Sequence, residues 1–389
     1  MTSITMKLCW LLLNLSPVVH GIIQAPLLPG PHSLGTTVLQ ATDSSTTRSL
    51  MLSLFYPTSA KNSSTYTLAP VFPTATAIHL AESYSLPPTT LQNFTSRSYN
   101  SAPILLSHSN SFDFPVLLFS PGYGNTRLMY TTIAENIASL GYLVITVDHP
   151  FDVEFIEYSN GTTATWEDVE FDNYTAPIPY VNARVGDLQF VLNSLSTSLF
   201  TTQIPGISNC SSSSHSYGYG KSQPTFQTKR IGAFGHSLGG AASFSAMHAD
   251  SRFACGINLD GALAGEVVHK GLKSPFMIMA NENHTRSEER DPTWTEFWDN
   301  SVKLAGAKGW RRDVRVNGTT HGSYTDLAVW AGVLGLEGYE ELLGSIQGER
   351  ILEVESEFVG GFFGKWLKGK RGRVLDGPSE EWPEVVFDF

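Results

Sequence analysis

Runs of consecutive apolar residues recur along the chain, and between them lie stretches in which apolar residues stand at helical spacing. The first pattern is typical of strands buried on both faces, and the second indicates helices with one buried face. Strand-like apolar runs cover residues 49–56, 115–119, 142–147, 231–234, 254–259 and 275–280, and the short segments 39–42 and 313–316 are further strand candidates of mixed character. Helix-like stretches cover 128–140, 181–195 and 349–367. This alternation predicts an α/β fold with a mostly parallel central sheet and helices on both faces, preceded by an antiparallel pair.

No stretch of the 389-residue chain has the composition of a linker, so residues 22–389 are predicted to form one domain. Residues 58–111 are rich in Ser, Thr, Pro and Asn, and we expect them to wrap around the surface. Residues 196–228, rich in Ser, Gly and Tyr, are predicted to be an insertion. The aromatic and acidic stretch from residue 152 to residue 180 is expected to form a lid or rim.

Residues 1–21 are typical of a secretory signal peptide, with Lys7 at the positive end and an apolar run that is too short to span a bilayer. Sequons for N-glycosylation across the rest of the chain support secretion independently. They begin at Asn62, Asn93, Asn160, Asn173, Asn209, Asn283 and Asn317. We therefore expect a secreted, extracellular glycoprotein.

The formal net charge of −11 argues against nucleic acid as a partner, because binding phosphates requires clustered Lys and Arg. Once residues 1–21 are removed, two cysteines are left, Cys210 and Cys255. The sequence leaves open whether they form a disulfide or stay a loop thiol and a buried inert thiol. The chain contains no Cys-x-x-Cys or His-Glu-x-x-His motif, so we expect no metal or other cofactor.

The most informative stretch for chemistry is residues 230–242, where a strand-like run leads into Gly235-His236-Ser237-Leu238-Gly239 and then into small residues suited to a helix. A G-x-S-x-G motif between a strand and a helix is typical of a serine nucleophile in a sharp turn, where the glycines prevent clashes. Ser237 is therefore the predicted nucleophile.

A serine nucleophile needs a histidine base and an acid that orients the base, and in α/β-hydrolases the chain order is Ser, acid, His. His321 is the predicted base because it follows the last parallel strand-like run, in a glycine-containing loop. Two acids compete for the third position. Asp260 ends one strand-like run and Glu282 ends the next, and both ends face the same edge of a parallel sheet, so position alone does not decide.

The oxyanion that forms during acyl transfer needs two N–H donors. One is predicted to be the backbone N–H of Leu238, directly after the nucleophile. The other is predicted to be the backbone N–H of Tyr123, because the flanking Gly122 and Gly124 allow the chain to approach a substrate closely.

These residues resemble the secreted, plasma-type platelet-activating-factor acetylhydrolase family of α/β-hydrolase esterases, and the chain is similar to a fungal-like member. The shared motifs are FSPGYG at 119–124, GHSLGG at 235–240, INLDG at 257–261, the loop that carries His321, and GGFFGKWLKG at 360–369. The resemblance implies that Asp260 is the triad acid. It also implies calcium-independent hydrolysis of a short or oxidised sn-2 acyl chain, such as acetyl, on a phospholipid. Pro121 and Tyr123 depart from the family pattern, which affects the shape of the acyl pocket.

Two other functions stay open. The same fold and the same three side chains would serve a general carboxylesterase or a cutinase-like polyester hydrolase. A catalytically inactive hydrolase fold used for adhesion is disfavoured, because such proteins usually lose one member of the Ser-Asp-His set. Two further features favour structural roles: His149 is expected to make strand-end hydrogen bonds, and Arg184 and Asp187 are expected to form an ion pair on one helix face.

A peripheral enzyme acting on lipid needs a surface that contacts the lipid. The apolar residues 327–336, with Trp330, predict either such a contact or a helix packed in the core, and the core is favoured. The basic residues 365–373 are a second candidate contact, although cations near the end of a helix are also favoured by its dipole.

Overall fold

The structure is a computed structural model that describes residues 22–388 except for 61–64, 85, 107–111, 167–168, 208–225 and 307. The predicted signal peptide, Cys210 and the sequons at Asn62 and Asn209 lie outside the described residues. Cys255 lies on a strand and is fully buried, and burial raises the pKa of its thiol. The alternatives for the two cysteines therefore stay a prediction.

The strands of the described residues are β1 (Leu34–Thr42), β2 (Ser49–Pro57), β3 (Leu68–Pro70), β4 (Thr95–Asn100), β5 (Val116–Ser120), β6 (Leu143–Asp148), β7 (Phe155–Glu157), β8 (Thr163–Thr165), β9 (Ile231–His236), β10 (Phe253–Leu259), β11 (Phe276–Asn281), β12 (Arg311–Val316) and β13 (Val385–Phe387). Eleven of these strands form a sheet at the centre of the fold, in the order β13-β12-β11-β10-β9-β5-β6-β2-β1-β4-β3, and β7 and β8 form a separate pair. The middle of the large sheet is parallel from β12 to β6, and β2 then pairs antiparallel with β6 and with β1.

Helices cover both faces of this sheet. They are α1 (Thr74–Ser83), α2 (Thr131–Ser139), α3 (Ile178–Ser194), α4 (Ser198–Thr201), α5 (Leu238–Ala249), α6 (Glu266–Lys270), α7 (Pro292–Ala305), α8 (Asp326–Leu334), α9 (Glu340–Leu343) and α10 (Gly348–Lys368). Helices α1, α2, α8 and α10 contribute to one apolar core, and α3, α5, α6 and α7 to the other. This arrangement confirms the predicted α/β architecture and is consistent with the α/β-hydrolase fold.

The two cores explain why the central strands are apolar throughout. Leu117 and Phe119 of β5 point into one core, whereas Val116 and Leu118 point into the other. Successive side chains of a strand alternate between the faces, so a strand covered by helices on both sides needs apolar residues at every position.

The prediction for residues 58–111 needs a correction. The segment lies at one edge of the sheet, but its described residues form β3, α1 and β4 rather than only a surface wrapping. Phe72, Leu80 and Phe94 from this segment are buried in the first core. The apolar positions are too scattered along the sequence to reveal this packing. In the predicted insertion, Phe200, Ile204 and Ile207 are likewise buried.

Trp330 settles the interpretation of residues 327–336. Its side chain is 5% exposed and packs against Phe72 and Phe94, with ring centroids 5.3 and 5.0 Å apart. The core alternative is therefore confirmed. Across the described part of the chain, none of the helices has both the length and the apolar character that a membrane crossing requires.

Candidate active site

Ser237 occupies the sharp turn between β9 and α5, with φ 55° and ψ −125°. This left-handed conformation is costly for a residue with a side chain and is found mainly where function requires it. Gly239 makes the turn sterically feasible, because a Cβ atom there would lie 1.9 Å from the Ser120 carbonyl oxygen. The glycine spacing of the motif therefore brings the nucleophile turn directly against the end of β5.

His321 lies beside this serine. Its Nε2 is 2.9 Å from the Ser237 Oγ, and its Nδ1 is 2.5 Å from Oδ2 of Asp260. A neutral imidazole that donates its Nδ1–H to the carboxylate can accept the serine hydroxyl proton at Nε2. The three predicted residues thus form a continuous Ser-His-Asp chain of hydrogen bonds, in the chain order Ser, Asp, His.

The structure brings Asp260, and not Glu282, against the histidine. Glu282 accepts a hydrogen bond from the backbone N–H of Gly318, 2.8 Å away, and its residue is exposed. Asp260 follows β10 in the left-handed conformation, with φ 56°, and its carboxylate is buried. The backbone N–H and the side-chain amide of Asn281 donate to its two oxygens at 2.9 and 2.8 Å. Both acids do follow parallel strands at the same edge of the sheet, as predicted. Only the turn after β10, however, directs a carboxylate to the base.

A second histidine also contacts the triad acid. Nδ1 of His284 lies 2.9 Å from Asp260 Oδ1, and its Nε2 lies 2.9 Å from Oδ2 of Asp291, at the start of α7. Its ring stacks on Trp294, with centroids 3.8 Å apart and planes 14° from parallel. Burial alone would raise the pKa of Asp260, but the hydrogen bonds and charges of His284 and His321 bring it well below its usual range.

The backbone N–H groups on either side of Tyr123 both donate hydrogen bonds within the protein. The N–H of Gly122 donates to the Tyr130 hydroxyl at 3.0 Å, and the N–H of Gly124 donates to the Asp152 carbonyl at 2.9 Å. Leu238 is the first residue of α5, so its N–H belongs to the positive end of that helix. The arrangement fits the predicted oxyanion site, whose two donors remain a proposal.

Tyr130 and His236 connect the loop that carries Tyr123 to the loop that carries the base. Tyr130 OH is 2.8 Å from His236 Nδ1, and His236 Nε2 is 3.0 Å from the carbonyl oxygen of His321. Burial and the nearby His321 lower the pKa of His236 well below its usual range, so the ring is neutral. It accepts from the tyrosine and donates to the His321 carbonyl, which fixes the backbone of the base.

Arg184 is fully buried beneath the Tyr123 loop. It pairs with both oxygens of Asp152 at 2.8 and 2.9 Å and donates to the carbonyl oxygens of Pro121 and Gly122. The predicted ion pair between Arg184 and Asp187 is wrong. Asp187 instead accepts two hydrogen bonds of 2.7 Å from Arg48. Although Arg184 and Asp187 both lie on α3, their side chains reach different neighbours.

His149 forms a second set of hydrogen bonds that resembles a triad, with Ser120 Oγ and Asp187 Oδ2 each 2.9 Å away. The His149 and Ser120 side chains are fully buried, so no substrate reaches them. Burial and the charge of Arg184 lower the pKa of His149, which keeps the ring neutral. This confirms the structural role expected for His149.

Aromatic side chains from the segment after β6 form a wall beside the Tyr123 loop. The rings of Trp166, Phe171 and Tyr180 lie 4.8, 4.7 and 5.4 Å from the ring of Tyr123. The Tyr123 hydroxyl accepts a hydrogen bond from the backbone N–H of Val169 at 3.2 Å. The segment thus closes one side of the site, in agreement with the predicted rim.

Sequence reasoning did not find His284 or the role of Arg184. His284 lies inside the sequon that begins at Asn283, but it also follows β11 at the same sheet edge that makes Glu282 a candidate acid. The rule that residues after neighbouring parallel strands meet at one sheet edge could therefore have identified His284 from the sequence. Within the described residues, no cluster of His, Cys, Asp or Glu side chains is arranged to hold a metal ion.

Comparison with known proteins is in line with this geometry. The sequence profile of the family described as "Platelet-activating factor acetylhydrolase, isoform II" matches residues 18–170 and 206–368. The chain belongs to this family. A relative from Arthroderma benhamiae, named "Probable 1-alkyl-2-acetylglycerophosphocholine esterase", is 35% identical over 291 residues, which are 72% of this chain and 68% of the relative.

More distant relatives and a solved structure agree on the enzyme class. A platelet-activating factor acetylhydrolase from Gallus gallus is 23% identical over 292 residues, 70% of this chain and 65% of the relative. A ferulic acid esterase from Streptomyces cinnamoneus superposes with a TM-score of 0.73 at 26% identity, covering 95% of this chain and 100% of that chain. The family member described here is a carboxylic ester hydrolase.

Proposed function

We propose that the protein is a secreted serine esterase that hydrolyses the short sn-2 acyl ester, such as acetyl, of phospholipids resembling platelet-activating factor. The continuous chain of hydrogen bonds from Ser237 through His321 to Asp260 is the observation that carries the catalytic part of this proposal. It also argues against an inactive adhesion protein, since every group of the triad is present and in contact.

In the first step, the Ser237 oxygen attacks the acyl carbonyl while His321 Nε2 takes the hydroxyl proton. Asp260 stabilises the imidazolium that forms, and the N–H groups of Tyr123 and Leu238 stabilise the oxyanion. The intermediate collapses, the alcohol leaves with the proton from His321, and an acyl-enzyme is formed. Water, deprotonated by His321, then releases the acid and restores the serine.

The choice of substrate follows from family membership and from the name of the relative in Arthroderma benhamiae. A general carboxylesterase that accepts aromatic esters is the second candidate. Two observations favour it: the aromatic wall formed with Tyr123, and the structural similarity to a ferulic acid esterase. Flat aromatic groups pack well against such rings.

Contact with a lipid surface stays part of the proposal, but the two segments chosen from the sequence do not support it. Trp330 is buried. Residues 365–373 include Trp366, whose carbonyl oxygen accepts a hydrogen bond from Arg230, just before the start of β9, whereas Ser237 follows the other end of that strand. A lipid surface bound there would face away from the site. Phe151, Val169 and Tyr174, exposed on the segment after β6, are better candidates.

The test is a panel of esters on the purified protein: phosphocholine lipids with sn-2 acyl chains of increasing length, p-nitrophenyl acetate, methyl ferulate and an insoluble polyester. Preference for the shortest phosphocholine lipid is expected, and preference for methyl ferulate or the polyester would contradict the substrate assignment.

Ser237→Ala should lower turnover by about 10⁴-fold or more while the protein stays folded. Ser245→Ala, the same change further along α5, is the matched control. Activity of Ser237→Ala within tenfold of the parent would refute the serine mechanism.

A further inference from the structure

His284 is held between two carboxylates. Asp260 Oδ1 is 2.9 Å from its Nδ1 and Asp291 Oδ2 is 2.9 Å from its Nε2. The His284 side chain is 14% exposed, and the two carboxylates are 0% and 1% exposed. Asp291 is itself fixed, because its other oxygen accepts hydrogen bonds from the backbone N–H groups of Thr293 and Trp294 at the start of α7.

This geometry determines the protonation of the ring. A carboxylate only accepts hydrogen bonds, and a neutral imidazole has a single N–H donor. Because both ring nitrogens face carboxylate oxygens, both must carry a proton, and His284 is an imidazolium. The face of Trp294 stacked on the ring also favours a cation. Consistently, burial opposes the charge, but the bonds to the two carboxylates raise the pKa of His284 to about 9.

We infer that His284 is a positioning residue for the triad, an inference that rests on the proposed serine mechanism. Its imidazolium holds the Asp260 carboxylate by the oxygen opposite His321, and its positive charge disfavours a second positive charge on the base. Replacing His284 therefore removes both the donor that fixes the Asp260 carboxylate and the positive charge on its far side from the base.

The other titratable groups around His284 do not change the positive charge that its two carboxylates stabilise. From the segment after β6, Tyr174 lies near Asp291, and burial together with that carboxylate raises the tyrosine pKa, so the phenol stays neutral. On the loop of His284 itself, Arg286 pairs with Asp313 of β12 at 3.1 Å. The charges that act directly on His284 are thus those of Asp260 and Asp291, with His321 on the far side of Asp260.

Two variants remove the positive charge of His284 in different ways. His284→Gln replaces the imidazolium with a neutral amide, and it leaves the Asn283-x-Thr285 sequon intact, so the signal for glycosylation is unchanged. Asp291→Asn keeps His284 but places an amide donor against Nε2, which favours the neutral ring that still donates to Asp260. The matched control is His269→Gln, the same change in an exposed ion pair between His269 of α6 and Glu296 of α7.

The measurement is the pH dependence of kcat/KM for p-nitrophenyl acetate, with thermal unfolding in parallel. We expect the acid limb to move to higher pH by about one unit in His284→Gln and by less in Asp291→Asn, and not to move in His269→Gln. Acid limbs that coincide with the parent in both variants would overturn the inference, even if stability falls. If His284→Gln does not fold, Asp291→Asn alone decides. Ser237→Ala in the same assay tests the serine mechanism separately, because its outcome does not depend on His284.

Discussion

Replacing Asp260 with Asn tests the triad acid most directly, because four donors converge on this carboxylate. Oδ1 accepts from the Asn281 backbone and from His284, and Oδ2 accepts from the Asn281 side chain and from His321. An asparagine offers one acceptor oxygen, so its NH₂ group must face two of these donors. Either orientation of the amide damages the site.

If the NH₂ group faces His321, the imidazole must present a bare Nδ1 and carry its proton on Nε2, and it then cannot accept the proton of Ser237. If the NH₂ group faces His284 instead, the tautomer survives, but the imidazolium of the base loses its counter-charge. Loss of the correct tautomer costs about 10⁴-fold in serine proteases with the same triad. We expect a similar fall in kcat for Asp260→Asn, equivalent to about 5 kcal/mol at 1.36 kcal/mol for each factor of ten.

The assay is kcat for p-nitrophenyl acetate, with circular dichroism to show that the variant is folded. Glu282→Gln is the matched control. The Gln carbonyl can still accept the hydrogen bond from the Gly318 N–H, so activity should stay close to that of the parent. The reasoning is refuted if Asp260→Asn retains activity within about tenfold of the parent, or if Glu282→Gln is the more damaging change.

Two further predictions concern stability. Trp330→Ala should lower the free energy of unfolding by about 3–5 kcal/mol, because it empties a core site against Phe72 and Phe94; it should affect soluble and lipid esters alike, and a selective loss on lipid would contradict the core assignment. Burial and Asp326 raise the pKa of Glu355, and burial raises the pKa of Asp326 to about 7. The folded state thus retains protons that the unfolded state releases, and stability falls as the pH rises from about 4.5 through 7 and beyond. Glu355→Gln should therefore be more stable than the parent at pH near 8 and little changed near pH 5 in urea unfolding; an equal change at both pH values would contradict this.

Local sequence patterns were enough to predict the central architecture. The apolar runs at β5, β6, β9, β10 and β11 correspond to strands within a few residues, because a strand covered on both faces must be apolar along its length. The turn that carries Ser237 was equally readable, since the positions of its glycines follow from contacts within the turn and with the end of β5. The edge segment 58–111 was less readable, because it buries only a few separated side chains.

What the sequence by itself determined is therefore the alternation of strands and helices, the turn that holds Ser237, and the sheet edge at which the acid and the base must lie. Only the tertiary structure decided which strand-end side chains meet. The left-handed turn at Asp260 directs that carboxylate to His321, while Glu282 reaches a backbone amide. In the same way, Arg184 pairs with Asp152 rather than Asp187, and His284 lies between two carboxylates. The physical reason is that a side chain's partners depend on loop conformation and sheet register, which join residues far apart in the chain, whereas apolar spacing reports only on its own element.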